Sequence, residues 1–178
     1  MLLPLGGKPL WRWAYDAAIQ AFGSENVVCA IPAGDLDGPL GKSLRQHGVE
    51  IFAYDGDEND VLGRFHACAH QYRWHPDSVI VRITPDDPFK SVDALLRVAH
   101  GERLPVEVGG EAFTLAMLDN PYNPTEREHL TYSLFAYPPP PPPNGLWTID
   151  TEEQYAVAQG IVRTASRMAC SSTCSAST

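Results

Sequence analysis

Chemistry in this sequence gathers on a few residues at close spacing. The run Thr84-Pro85-Asp86-Asp87-Pro88-Phe89 sets two carboxylates side by side directly after an apolar stretch, Ser78 to Ile83. In α/β folds ligands collect where strands end, so this acidic loop is the first place to look for a site. The competing reading of Asp86 is a turn residue, because Asp-Pro pairs favour turns. Arg82 lies inside the apolar stretch, and a buried guanidinium needs a partner. Asp86 or Asp60 would serve in a structural pair and phosphate in a binding one; the structural pair is preferred. His66 and His70 stand four apart on a helical pattern, a spacing that can hold a metal. Cys68 between them points elsewhere and no carboxylate recurs on that face, so a surface or packed histidine pair is the expectation. Of the four cysteines, Cys29 and Cys68 read as buried free thiols. Cys170 and Cys174 lack a second Cys/His pair and make a poor zinc motif.

The elements that must position these residues alternate in type. Helical spacing of Leu10, Trp13, Ala14, Ala17, Ala18, Ala21 and Phe22, with Pro9 before and Gly23 after, predicts a helix over 9–22. Strands are expected over 26–31, 49–53 and 78–83, and helices over 36–47, 60–72 and 91–100. Further on, the pattern gives a strand over 104–108, a helix over 111–118, a helix over 125–135 and a strand over 146–150. Between the last two runs Pro138 to Pro143, which must be extended as polyproline II or a rigid loop. Thr151-Glu152-Glu153-Gln154 is a capping-box start for a closing helix to about Met168. Residues 169–178 are small and polar and read as a disordered tail. This order implies an α/β domain over 1–168, with a mostly parallel sheet and helices on its faces.

Composition sets limits on function. With 178 residues, 44% hydrophobic and 20% charged, the chain can bury a core. Thirteen basic against 22 acidic side chains give a formal net charge of -9, which argues against a protein that coats nucleic acid. A small anionic ligand stays compatible with it, since a few local cations and a metal ion can bind one inside an acidic protein. The start Met1-Leu2-Leu3-Pro4-Leu5 is broken by proline and is not a signal peptide, and no apolar stretch is long enough to span a membrane. The expected compartment is the cytoplasm.

Five blocks then carry a resemblance. Leu2-Leu3-Pro4-Leu5-Gly6-Gly7-Lys8-Pro9-Leu10 resembles the start of the first helix in sugar-nucleotide cytidylyltransferases, in particular the spore-coat-polysaccharide-biosynthesis type, relatives of the acylneuraminate and ketodeoxyoctonate enzymes. Glu58-Asn59-Asp60-Val61-Leu62-Gly63-Arg64-Phe65 resembles the family's acidic–Val–Leu–x–Arg–aromatic helix start. Val81-Arg82-Ile83-Thr84-Pro85-Asp86-Asp87-Pro88, Glu126-Arg127-Glu128-His129-Leu130-Thr131 and Trp147-Thr148-Ile149-Asp150-Thr151-Glu152-Glu153 resemble three more of its blocks, in order. The resemblance implies a three-layer fold of the nucleotide-diphospho-sugar-transferase type. It implies transfer of CMP from CTP to a sugar or sugar acid with release of pyrophosphate, assisted by Mg2+. It gives Asp86 and Asp150 as catalytic metal ligands, with Asp87 able to substitute for Asp86. Asp150 reads equally as a helix cap. It turns Arg127 and His129 toward the sugar, where Arg127 would suit a carboxylate; the alternative is a solvated face with Glu126 and Glu128. Lys8 and Arg82 become candidates for phosphate, although the simplest role for Lys8 is near the start of the first helix.

The resemblance also has gaps. The family's first strand and its Gly/Arg-rich triphosphate loop have no counterpart before Lys8, and Gly6-Gly7 alone is a weak phosphate cradle. A gap at a central strand leaves two unpaired edges, so rearranged pairing or a second copy of the chain is expected to close it, and the protein to be a homo-oligomer. The bridge Gly101 to Pro105 replaces a longer region that shapes the sugar site in the family. An incomplete or impaired enzyme is one expectation and a non-catalytic scaffold with the same fold is the other. A proline-rich interaction module ranks below both.

Overall fold

A computed structural model describes residues 1–137, 139–145 and 148–174, and for 167–174 the backbone alone. Pro138 of the proline run, Leu146 and Trp147 of the expected last strand, and residues 175–178 of the tail lie outside the described residues. The chain opens on a short antiparallel hairpin, β1 (Pro4–Leu5) and β2 (Lys8–Pro9). Gly6 and Gly7 make its turn with φ of 60° and 85°, a pair of left-handed conformations that suits a two-residue hairpin loop. Helix α1 (Leu10–Phe22) follows and buries Leu10, Trp11, Ala14, Ala17 and Ala18. Trp11 rather than Trp13 is the buried indole of this helix; Trp13 is half-buried and donates its Nε1 hydrogen to Leu5 O at 2.9 Å.

Next come β3 (Cys29–Pro32), α2 (Pro39–Gln46) and β4 (Ile51–Tyr54), a right length for a crossover between parallel neighbours. The strands pair in parallel from Cys29↔Ile51 to Pro32↔Tyr54. Helix α3 (Val61–Gln71) starts at Asp60, whose side chain accepts from Gly63 N. Strand β5 (Val79–Arg82) leads to the acidic loop and to α4 (Val92–Ala99), capped by the Ser91 hydroxyl. Each of these elements falls within a few residues of its expected span.

The stretch from 104 to 119 departs from expectation. A short helix, α5 (Val106–Gly109), stands where a strand was expected, and β6 (Glu111–Thr114) with α6 (Leu115–Asp119) stands where a helix was expected. Three local causes act together. Pro105 fixes the entry to the helical turn. Gly110, at φ 77°, ends it, and a Cβ there would lie 2.4 Å from Arg82 O. Beyond it, residues 111–114 pair antiparallel with β5, Arg82 opposite Glu111 and Val79 opposite Thr114. The expected helix over 125–135 shrinks to α7 (Leu130–Leu134), and Thr148–Asp150 is not in a strand. The closing helix α8 (Glu152–Cys174) runs past Met168 through both cysteines. Its capping box forms: Gln154 Oε1 accepts from Asp150 N and Thr151 N, and Thr151 Oγ1 accepts from Gln154 N.

Three apolar clusters hold the chain. Leu62, Ala69, Ile80, Phe113, Leu115, Leu118, Leu130 and Leu134 join α3, β5, β6, α6 and α7. Leu5, Leu10, Ile149, Ala158 and Val162 join the hairpin to α8, helped by a hydrogen bond from the Tyr155 hydroxyl to Pro4 O. Trp11, Ile31, Leu44 and Val49 fasten α1 to β3 and α2. Each fully buried leucine contributes roughly 1.5–3 kcal/mol of transfer free energy.

The chain is α/β, but its strands form three separate two-stranded ladders, of which β3–β4 is parallel and the others antiparallel. Among the described residues no ladder joins β3 to β5. Instead a groove of about 620 Å³ runs between these two strands, lined by Trp11, Cys29, Ile31, Phe65, Val81 and Ile83 among others. No helix among the described residues is long and apolar enough to cross a membrane.

Candidate functional site

The acidic loop after β5 divides its two aspartates between different tasks. Asp87 is 3% exposed. It accepts from Lys90 Nζ at 3.0 Å, from Thr148 Oγ1 at 2.7 Å and from the Thr84 hydroxyl. Lys90 is buried too, and its remaining donors reach Val106 O and Glu107 O at 2.7 and 3.2 Å. Burial pulls the Lys90 ammonium below its ordinary range while Asp87 pulls it back up. Asp87 is thus a fixed internal counter-ion and not a substitute ligand, in contrast to the sequence expectation.

Asp86 is left as the half-buried carboxylate of the loop. Burial raises its pKa, and the negative charges of Asp87 and then Asp150 raise it further; Arg82 opposes them. The segment that carries Asp150 is held there by a hydrogen bond from Ile149 N to Asp86 O of 2.9 Å. Thr148 on the same segment ties to Asp87. Asp86 and Asp150, 64 residues apart in sequence, therefore sit in one electrostatic neighbourhood. Asp150 is exposed and ends next to the capping box of α8. Carboxylate oxygens are the donor set a hard divalent cation prefers.

Two arginines, Arg82 on β5 and Arg64 on α3, lie close enough to act on each other. Arg82 pairs across the β5–β6 ladder with Glu111 at 2.5 Å, and Glu111, 5% exposed, also accepts from the Thr131 hydroxyl. The structural role expected for Arg82 is present, but neither Asp86 nor Asp60 is its ion-pair partner. Arg64, in the first turns of α3, has a buried Nε with no hydrogen-bond partner among the described residues. Burial lowers its pKa, and the nearby positive charge of Arg82 lowers it further. A buried donor left unmade is costly, and two guanidiniums close enough to repel suit an anion between or beside them.

The other expected binding residues are each engaged with an acidic neighbour. Lys8 is paired with Asp16 at 2.6 Å and lies over the Trp13 ring at 4.1 Å, beside the Arg12–Asp16 pair. Arg127 makes a two-pronged contact to Asp60, 2.8 Å at each nitrogen, which together with Gly63 N and the Tyr54 hydroxyl holds the Asp60 carboxyl below its usual range. His129 stands at the start of α7, and Glu126 Oε1 accepts from its backbone N at 2.9 Å and meets its Nδ1 at 3.4 Å. His66 and His70 also differ from expectation: a carboxylate does reach them, Asp119 from the end of α6. Both thiols are free: Cys68 is buried as expected and Cys29 is half-buried, and burial pushes them up to about 12 and about 11.

Sequence reading missed Arg64, Lys90, Glu111 and Thr131 as parts of this site. Arg64 carried a signal, since it stands in a matched block one turn beyond Asp60. Glu111 carried none, because residues 111–118 were assigned to a helix and the register with Arg82 was invisible.

No protein-family model matches the sequence. The chain is 23% identical over 126 residues to a 3-deoxy-manno-octulosonate cytidylyltransferase of Marinomonas sp. (strain MWYL1), covering 70% of this chain and 46% of that protein. It is 29% identical over 98 residues to the protein of the same description from Thioalkalivibrio sulfidiphilus (strain HL-EbGR7), covering 55% of this chain and 37% of the relative. The chain thus spans less than half the length of these curated relatives. A solved cytidylyltransferase structure from Leptospira borgpetersenii serovar Hardjo-bovis (strain JB197) superposes with a TM-score of 0.68 at 23% identity, over 89% of this chain and 77% of that one. The chain is a distant homologue of these cytidylyltransferases and shares their α/β fold.

Proposed function

We propose that this cytidylyltransferase-like chain belongs to CMP-sugar synthesis in the cytoplasm, of the kind that serves surface polysaccharides such as spore coats. In that reading it joins CMP from CTP to a sugar acid and releases pyrophosphate. What carries the reading is the coupling of Asp86 and Asp150 through the Ile149–Asp86 hydrogen bond, at the carboxyl end of β5. Both oxygens fit Mg2+, which when bound would neutralise charge growing on the α-phosphate and orient the triphosphate. The chain's own side chains do the rest. The buried Asp87–Lys90 pair fixes the loop, so Asp86 needs little reorganisation. The unpartnered Nε of Arg64, beside Arg82, offers a donor to a phosphate or carboxylate oxygen.

One observation favours a second reading, a non-catalytic scaffold. Lys8, Arg127 and His129 are each engaged with an acidic neighbour, Asp16, Asp60 and Glu126. The test is thermal shift with CTP and Mg2+, then pyrophosphate release with CTP and 3-deoxy-manno-octulosonate as first acceptor. Pyrophosphate release abolished by Asp86→Ala is the expected result. Release that survives Asp86→Ala overturns the metal assignment, and CTP binding without any release selects the scaffold.

A further inference from the structure

A second group of metal-binding side chains lies away from the acidic loop, on the far end of α3. His66 and His70 stand one turn apart, their rings 4.3 Å between centroids. Both turn Nε2 toward the same atom, Asp119 Oδ1, at 3.0 and 2.8 Å. Asp119 comes from a different element, the last residue of α6, so three ligand atoms from two helices fall within 4.8 Å of one another. All three side chains are open to solvent, 35–51% exposed, which leaves an entry path.

Both N···O distances are of hydrogen-bond length, so the three ligand atoms already converge on one point. Around a tetrahedral ion with bonds of about 2.0 Å, ligand atoms stand about 3.3 Å apart. Small side-chain adjustments that open the two N···O distances by a few tenths of an ångström and set the two Nε2 atoms at the same separation would admit such an ion. Each imidazole can present its Nε2 lone pair by keeping its single proton on Nδ1. A donor set of two imidazoles and one carboxylate is that of Zn2+ and its neighbours in the transition series. It does not suit Mg2+, which seeks six oxygens in octahedral order.

We propose that His66, His70 and Asp119 form a binding site for a transition-metal dication of the Zn2+ type, with three protein ligands and one position left to water. The ion would clamp the end of α3 to the end of α6, two helices that already share the cluster around Leu62, Ala69, Leu115 and Leu118. The site is separate from the loop at Asp86 and asks for a different class of metal.

The experiment is calorimetric titration of the full chain with ZnCl2, on a Cys170→Ser/Cys174→Ser background so that thiolates do not compete. One ion per chain is expected to bind, unaffected by millimolar Mg2+. In His66→Gln/His70→Gln the affinity should fall by more than about tenfold, the scale on which even outer-shell partners count. Asp119→Asn should weaken it as well. Co2+ in place of Zn2+ should give the visible absorption of a tetrahedral nitrogen/oxygen site, lost in the histidine double variant. Far-ultraviolet circular dichroism of each variant confirms that it is folded. Zn2+ affinity unchanged in the folded double variant, or no binding to the background protein, overturns the proposal.

Discussion

Asp86 and Asp87 are neighbours of the same type with opposite environments, and this makes them separable by experiment. Asp87 answers a buried ammonium, so Asp87→Ala strands Lys90 without a carboxylate and should cost about 3–5 kcal/mol in urea unfolding. Asp86 has its pKa raised by burial and by Asp87 and Asp150. The folded state then holds a proton more tightly than the unfolded one, so stability falls as pH rises from the unfolded carboxylate value, about 4, through the raised folded value. Asp86→Asn removes that loss. It should raise Tm at neutral pH, and the gain should vanish below about pH 4. Mg2+ should raise Tm in the unaltered protein and leave Asp86→Asn unmoved; equal shifts in both would place the ion elsewhere. The adjacent pair of carboxylates was visible in the sequence, but which one was free was not. That depended on Lys90, Thr84 and Thr148 closing on Asp87, and Thr148 lies 61 residues away.

Among the elements, those whose signal is local were legible. The helical spacing of α1 and the Thr151–Gln154 capping box both act within a few turns of chain. Thr151→Ala should therefore cost about 1 kcal/mol of stability, read as a lowered urea midpoint. Strand β6 was not legible, since what makes Glu111–Thr114 a strand is its partner β5, with Glu111 under Arg82. Gly110→Ala tests that linkage. Its left-handed φ and the 2.4 Å approach to Arg82 O leave no room for a methyl, so the variant should lose more stability than Thr151→Ala. A loss smaller than that of Thr151→Ala would mean the β5–β6 junction yields easily.

At the level of the whole molecule, the five short blocks, the distant relatives and the superposition at a TM-score of 0.68 agree at the level of cytidylyltransferases, without the spore-coat subtype. The single mostly parallel sheet expected from the alternation of strands and helices is not formed among the described residues, because sheet order depends on which edges meet. Here β3 and β5 each keep a partner on one side and face the groove on the other. Open edges invite another chain, which is the physical ground for proposing a homo-oligomer. Sedimentation equilibrium should give a mass above 19.5 kDa that falls with dilution; a monomer at all concentrations would remove that proposal.

The groove also writes a pattern into the backbone amides that deuterium can read. Along β3 and β5 alternate N–H groups point to β4 or β6, and the others point across the groove. In the lone chain the first set should resist exchange with heavy water while the second trades its hydrogens quickly, so protection alternates residue by residue along both strands up to Pro32, which carries no N–H. Whatever comes to lie in the groove would announce itself by slowing that second set.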